Sequence, residues 1–194
     1  MKHLVPSVLV FLMAAATVQA GTIHGKVSGA KGESVVYIDA IPGKTFPAPT
    51  QHALMDQKGL MFMPHLLVVE KGTSVDFRNN DSVEHNVFWP SISGNKSLGH
   101  NMGTWPRGQQ RSFKFDSAGV VPLFCNVHPD MAGYIIVSPT PYFATTNSAG
   151  MFTIENVPNG TYKLTAWNEA GKGKTQSVQV TVSGDAEANI TLSK

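Results

Sequence analysis

The chain has 194 residues, 42% of them hydrophobic. That is enough for one large or two small folded domains and excludes disorder as the overall state. Fifteen Lys and Arg stand against thirteen Asp and Glu, a formal charge of +2, and so near a balance argues against the basic stripe that a nucleic-acid partner or an anionic membrane surface would select.

Residues 1–20 open with Lys2, run apolar from Leu4 to Val18 and end on the small Ala20. This reads as a signal peptide cleaved before Gly21, so the mature chain is expected in the periplasm. The apolar run is shorter than the ~20 residues of a spanning helix, no cysteine follows it for a lipid, and nothing later is long enough to cross a bilayer.

Beyond the leader the hydrophobic spacing is two-fold, as in Tyr162, Leu164, Ala166 and in Val178, Val180, Val182. Turn residues recur about every ten positions, and no segment keeps a helical period. These features predict an all-β sandwich.

Two strands are expected at 22–27 and 34–41, too few to bury a core alone. A block over 60–137 supplies strands at 60–62, 66–69, 74–79, 84–89, 110–115, 120–125 and 133–137. Within it, the Gly-rich stretch from Gly94 to Gly108, carrying His100 and Met102, is expected as a solvated loop. Strands resume from Thr146 to Lys194.

The stretch from Asn147 to Leu164, with Gly150, Phe152, Ile154, Pro158, Gly160 and Tyr162, resembles the small prealbumin-like or carboxypeptidase-regulatory-like β-sandwich. In that family the opening strands look like 21–41 here. The resemblance implies a discontinuous sandwich built from 21–45 and 138–194, with a second domain over 46–137 inserted in it.

Cys125 is the only cysteine. In an exported chain a lone thiol has no internal disulfide partner, which leaves an intermolecular bridge, a buried bystander or a metal ligand. The neighbours decide among them: Cys125, His128 and Met131 follow an apolar strand at C-x-x-H-x-x-M spacing, so a short loop can wrap three side chains around one ion. His85, forty residues upstream on another strand, offers the second imidazole. Two imidazoles, a thiolate and a weak thioether suit one copper ion in an electron-transfer site.

With Gly72 to Asp81, His85 to Phe88 and Phe124 to His128, residues 60–137 resemble a cupredoxin of the plastocyanin and amicyanin group. The whole chain is similar to methylamine-utilisation-like cupredoxins. The resemblance implies a cupredoxin Greek-key sandwich holding one type 1 (blue) copper at His85, Cys125, His128 and Met131.

It also implies that the Asn86 backbone N–H donates to the cysteine sulfur while the Asn86 side chain ties two ligand loops. Val127 stands where amicyanin has proline, and because proline lacks an N–H, Val127 is expected to give the sulfur a second amide hydrogen bond.

The function that follows is one-electron shuttling between redox proteins such as a c-type cytochrome, a dehydrogenase or an oxidase. The alternative is a carrier or chaperone with copper as cargo, which would draw on Met61, Met63 or His65; His52 and His100 are further candidates for a second copper. Around His128, the residues Phe88, Trp89, Pro90 and Pro129 are candidates for an apolar docking collar, with core packing the competing role for Phe88 and Trp89. Absence of a nucleophile elbow, a phosphate loop or a second multi-histidine site points away from an enzyme.

Overall fold

The computed structural model describes residues 19–171 and 174–192; the leader expected over 1–20 lies, but for its last two residues, outside them. Among the described residues no helix is long and apolar enough to cross a membrane.

The strands, in chain order, are β1 Ala20–Ser28, β2 Ser34–Ile38, β3 Ala53–Lys58, β4 Met61–Met63, β5 Leu66–Glu70, β6 Ser74–Asn79, β7 His85–Trp89, β8 His100–Trp105, β9 Gln110–Lys114, β10 Gly119–Phe124, β11 Ala132–Ser138, β12 Phe143–Thr145, β13 Met151–Pro158, β14 Gly160–Asn168, β15 Thr175–Val182, β16 Ala186–Glu187 and β17 Ile190–Thr191. They form an all-β structure of four sheets.

Sheets in the order β5-β11-β10-β7-β8 and β4-β3-β6-β9 enclose a core that includes Met55, Phe77, Trp89, Phe115, Val121, Leu123, Cys125, Met131 and Ile135. The other two, built on β13-β1-β16 with β17 and on β12-β2-β14-β15, enclose a second core with Ile23, Val36, Ile38, Phe152, Leu164 and Val182. Strands from the two ends of the chain pair here: Ile23 stands opposite Ile154 and Val36 opposite Ala166. At Gly25 a Cβ would lie 1.8 Å from the carbonyl oxygen of Ala188, so this close approach of β1 to the C-terminal segment requires glycine.

A third, smaller cluster of Val35, Ile136 and Trp167, flanked by Tyr134, Leu66 and Val68, joins the two sandwiches. It explains the sequence of β11. Ile135 and Val137 face the first core, whereas Ile136 faces Trp167, and all three isoleucine and valine side chains are at most 1% exposed. A strand covered on both faces reads as an apolar run rather than an alternation.

Three strands depart from expectation, β3, β8 and the short β12, which stands just before Thr146 and pairs with β2. β3 is hidden because its inward positions are Met55 and the polar Gln57, both fully buried, so its polarity does not alternate. β8 occupies the stretch expected as a solvated loop. Its inward residues Met102 and Trp105 are three apart rather than two, with Gly103 at φ +80° between them and a register shift in the facing strand; such an irregularity erases the two-residue period. Met102 is therefore core, and the exposed His100 lies against Trp89 and Phe113, with ring centroids 5.3 and 4.8 Å away. On β4 the alternation is real but Phe62 is the buried residue, leaving Met61 and Met63 exposed.

Candidate metal centre

Antiparallel pairing of β7 with β10 sets Phe88 opposite Phe124. The chain leaving β10 at Cys125 therefore runs past the start of β7, where His85 sits. The loop 126–131 then turns back, with the Met131 amide donating to the His128 carbonyl at 3.0 Å.

The result is a compact donor set. Cys125 Sγ lies 3.9 Å from His85 Nδ1 and 3.7 Å from His128 Nδ1, and the two ring nitrogens are 3.1 Å apart. A point equidistant from the three atoms falls about 2.1 Å from each, inside the ~2.0–2.3 Å range that zinc shows for nitrogen and thiolate ligands. One first-row ion thus fits the triangle without rearrangement.

His85 is fully buried, Cys125 is 4% exposed and Met131 1% exposed in the same core, while His128 is partly exposed. The donor triangle is accordingly buried at His85 and Cys125 and reaches the surface at the His128 imidazole. A sulfur and two imidazoles form a soft, electron-rich set that suits copper.

The immediate surroundings lock this geometry. The Asn86 amide donates to Cys125 Sγ at 3.3 Å. The Asn86 side chain accepts from the Asn126 amide at 3.2 Å and donates to Asn101 Oδ1 at 2.9 Å, so it does join the two donor-bearing segments. Replacing Asn86 by alanine should weaken copper retention by about 10–100-fold, the usual scale for such supporting residues. Competition with a chelator of known affinity measures this; unchanged retention would remove Asn86 from the site.

The second amide expected on the sulfur is not found. No hydrogen bond from the Val127 N–H to Cys125 Sγ is present; Val127 sits on the outside of the loop, half exposed, and substituting proline there has no sulfur contact to remove.

One residue escaped sequence reading. Asp81 Oδ2 is 3.1 Å from His85 Nε2. The Leu60 amide above all, and then the His85 ring, hold the Asp81 carboxyl down to about 2. Its only sequence signal is an acid four positions before the histidine.

The other candidates separate. His52 faces Asp76 at 2.9 Å, and His65 is held at 2.9 Å by Glu169 of the neighbouring sandwich. Trp89 is core, Phe88 is partly buried against Phe124 with ring centroids 5.7 Å apart, and Pro90 and Pro129 are exposed. His24 is exposed on β1.

Residues 50–138 match the family model described as copper binding proteins, plastocyanin/azurin family. Residues 138–190 match one described as polysaccharide lyase family 4, domain II, a different family from the one that the stretch after Asn147 resembles. The plastocyanin of Scenedesmus fuscus is 31% identical over 78 residues, covering 38% of this chain and 80% of that protein. The chloroplastic plastocyanin of Tetradesmus obliquus is 30% identical over 89 residues, 42% of this chain and 61% of the relative. Among solved structures, a purple cupredoxin from Nitrosopumilus maritimus is 26% identical with a TM-score of 0.40, covering 44% of this chain and 99% of that one.

Proposed function

The chain belongs to the plastocyanin/azurin family of copper-binding proteins, and from that premise we propose that it is a periplasmic carrier of single electrons whose copper is held by His85, Cys125, His128 and Met131. When bound, the metal supplies a Cu(II)/Cu(I) couple. The observation that supports this reading above all is the convergence of three donor atoms on one point about 2.1 Å from each.

Each residue has a distinct task. Cys125 presents a thiolate kept in place by the Asn86 amide. His85 is sealed inside the sandwich, so water does not reach its side of the site. His128, at the partly exposed edge, would be the shortest covalent route from the metal to a docked partner, with the exposed Val127 and Pro129 beside it on the loop. Met131, buried in the same core and three residues after His128, would supply the weak fourth ligand. A set of donors fixed by the fold suits both oxidation states with little rearrangement.

The partners we propose are redox proteins of the cytochrome, dehydrogenase or oxidase type, and the chain is a carrier rather than an enzyme. We read residues 46–137 as the copper domain, inserted into a sandwich of 21–45 and 138–194. The cargo-carrier alternative gains nothing from His65, which is engaged by Glu169.

Loading the mature protein with Cu(II) tests the assignment. An intense visible absorption, bleached by one electron per protein and restored on reoxidation, is the expected result. A colourless complex, or copper that leaves on reduction, would overturn it.

A further inference from the structure

The loop between β6 and β7 is organised around one carboxylate. Asp81 Oδ2 accepts from the Leu60 amide at 2.8 Å and faces His85 Nε2 at 3.1 Å, while Oδ1 accepts from the Ser82 amide at 2.8 Å. The Asp81 amide donates to Asn79 Oδ1 at 2.9 Å, and the Asn79 side-chain nitrogen donates to the carbonyls of Val83 and Trp105. Asn80 reaches both oxygens of Asp56 on β3.

Leu60 belongs to the two-residue turn between β3 and β4, where Gly59 and Leu60 have φ of +63° and +59°, the left-handed pair of a tight hairpin. Two backbone amides therefore hold the carboxylate whatever the histidine does. It is an acceptor placed in advance.

A neutral imidazole carries one N–H. A carboxylate at Nε2 takes that hydrogen, and Nδ1 is left with a lone pair facing Cys125 and His128. A full negative charge then stands one ring width behind the donor nitrogen, with only 14% of the Asp81 side chain exposed and none of His85. Such a charge makes the ring a stronger donor and favours the more positive state of a metal in front of it.

We propose that Asp81 is a positioning residue that fixes the tautomer of His85 and lowers the reduction potential of the copper it faces. This rests on the reading of His85 as a ligand.

The test compares the wild type with Asp81→Asn, which keeps an acceptor but no charge, and Asp81→Ala, which keeps neither. Nitrogen-15 correlation spectra of the metal-free protein, in alkaline solution where an imidazole is neutral, read the tautomer. Spectroelectrochemistry of the copper-loaded protein reads the potential.

The expected result is an Nε2–H tautomer in the wild type and the asparagine variant and a mixture in the alanine variant. At fixed potential the Cu(I) to Cu(II) ratio should rise about tenfold in Asp81→Asn, a shift of about 59 mV upward. An Nδ1–H tautomer in the wild type, or a midpoint unchanged or lowered in Asp81→Asn, overturns the proposal. Should the alanine variant not fold, the asparagine variant decides alone. A wild type that never turns blue would instead sink the copper assignment, which the metal-free spectra distinguish.

Discussion

Replacing Cys125 by serine is expected to abolish the intense visible absorption of the copper-loaded protein while leaving the fold in place. Serine keeps the size and one acceptor for the Asn86 amide, so the 4%-exposed position loses little packing. It loses the thiolate, because a serine hydroxyl stays protonated in this range and donates no sulfur-based charge to the metal. Of the donor cluster two imidazoles remain, a set that holds Cu(II) poorly without the thiolate. Visible and electron paramagnetic resonance spectra of the loaded variant, beside its thermal melt, decide the matter. Persistence of the band would mean that the chain's only sulfhydryl is a bystander.

The second large effect is expected at Trp167→Ala. Trp167 is 1% exposed and forms, with Val35 and Ile136, the cluster between the two sandwiches; its ring centroid is 5.0 Å from that of Tyr134. Removing a buried indole normally costs about 3–5 kcal/mol. The lower end applies here, about 3 kcal/mol, because the Trp167 Nε1 has no hydrogen-bond partner and its removal relieves an unsatisfied donor.

The substitution also tests how the halves are joined. The His65–Glu169 pair also bridges the sandwiches, but both side chains are more than half exposed, and an exposed pair contributes little. Denaturant unfolding should therefore show two separated transitions in the variant. The copper band follows the sandwich that carries Cys125; because Trp89 and Trp105 both lie in that same first core, far-ultraviolet circular dichroism follows both sandwiches. One transition at the wild-type midpoint would show that the cluster does not hold the halves together.

Some of this organisation was legible before any coordinates. β5, β6, β10 and β11 stand within a residue or two of where alternation and turn residues put them. The Cys–His part of the donor cluster is legible for a different reason: Cys125 and His128 lie within four residues, and so short a loop cannot scatter them.

What stayed hidden has a common cause. β3 carries the polar Gln57 at an inward place, and on β8 Gly103 spaces the inward Met102 and Trp105 three apart rather than two, so pairing rather than polarity makes them strands. The Val127 amide was expected on the sulfur from proline's missing N–H, but loop direction sets where an amide points, and here it leaves that contact to Asn86 alone. Asp81 carries no local signal beyond standing four positions before His85, and the Leu60 amide that also holds it arrives from a neighbouring hairpin.

By itself, then, the sequence determined the all-β class and the donor types, because side-chain period and short loop length are local properties. Only the tertiary structure decided which strands meet, how β1 finds β13 across more than a hundred residues, and which carboxylate stands behind His85. Those depend on register between distant strands, which an alternating pattern constrains to a face but never to a partner.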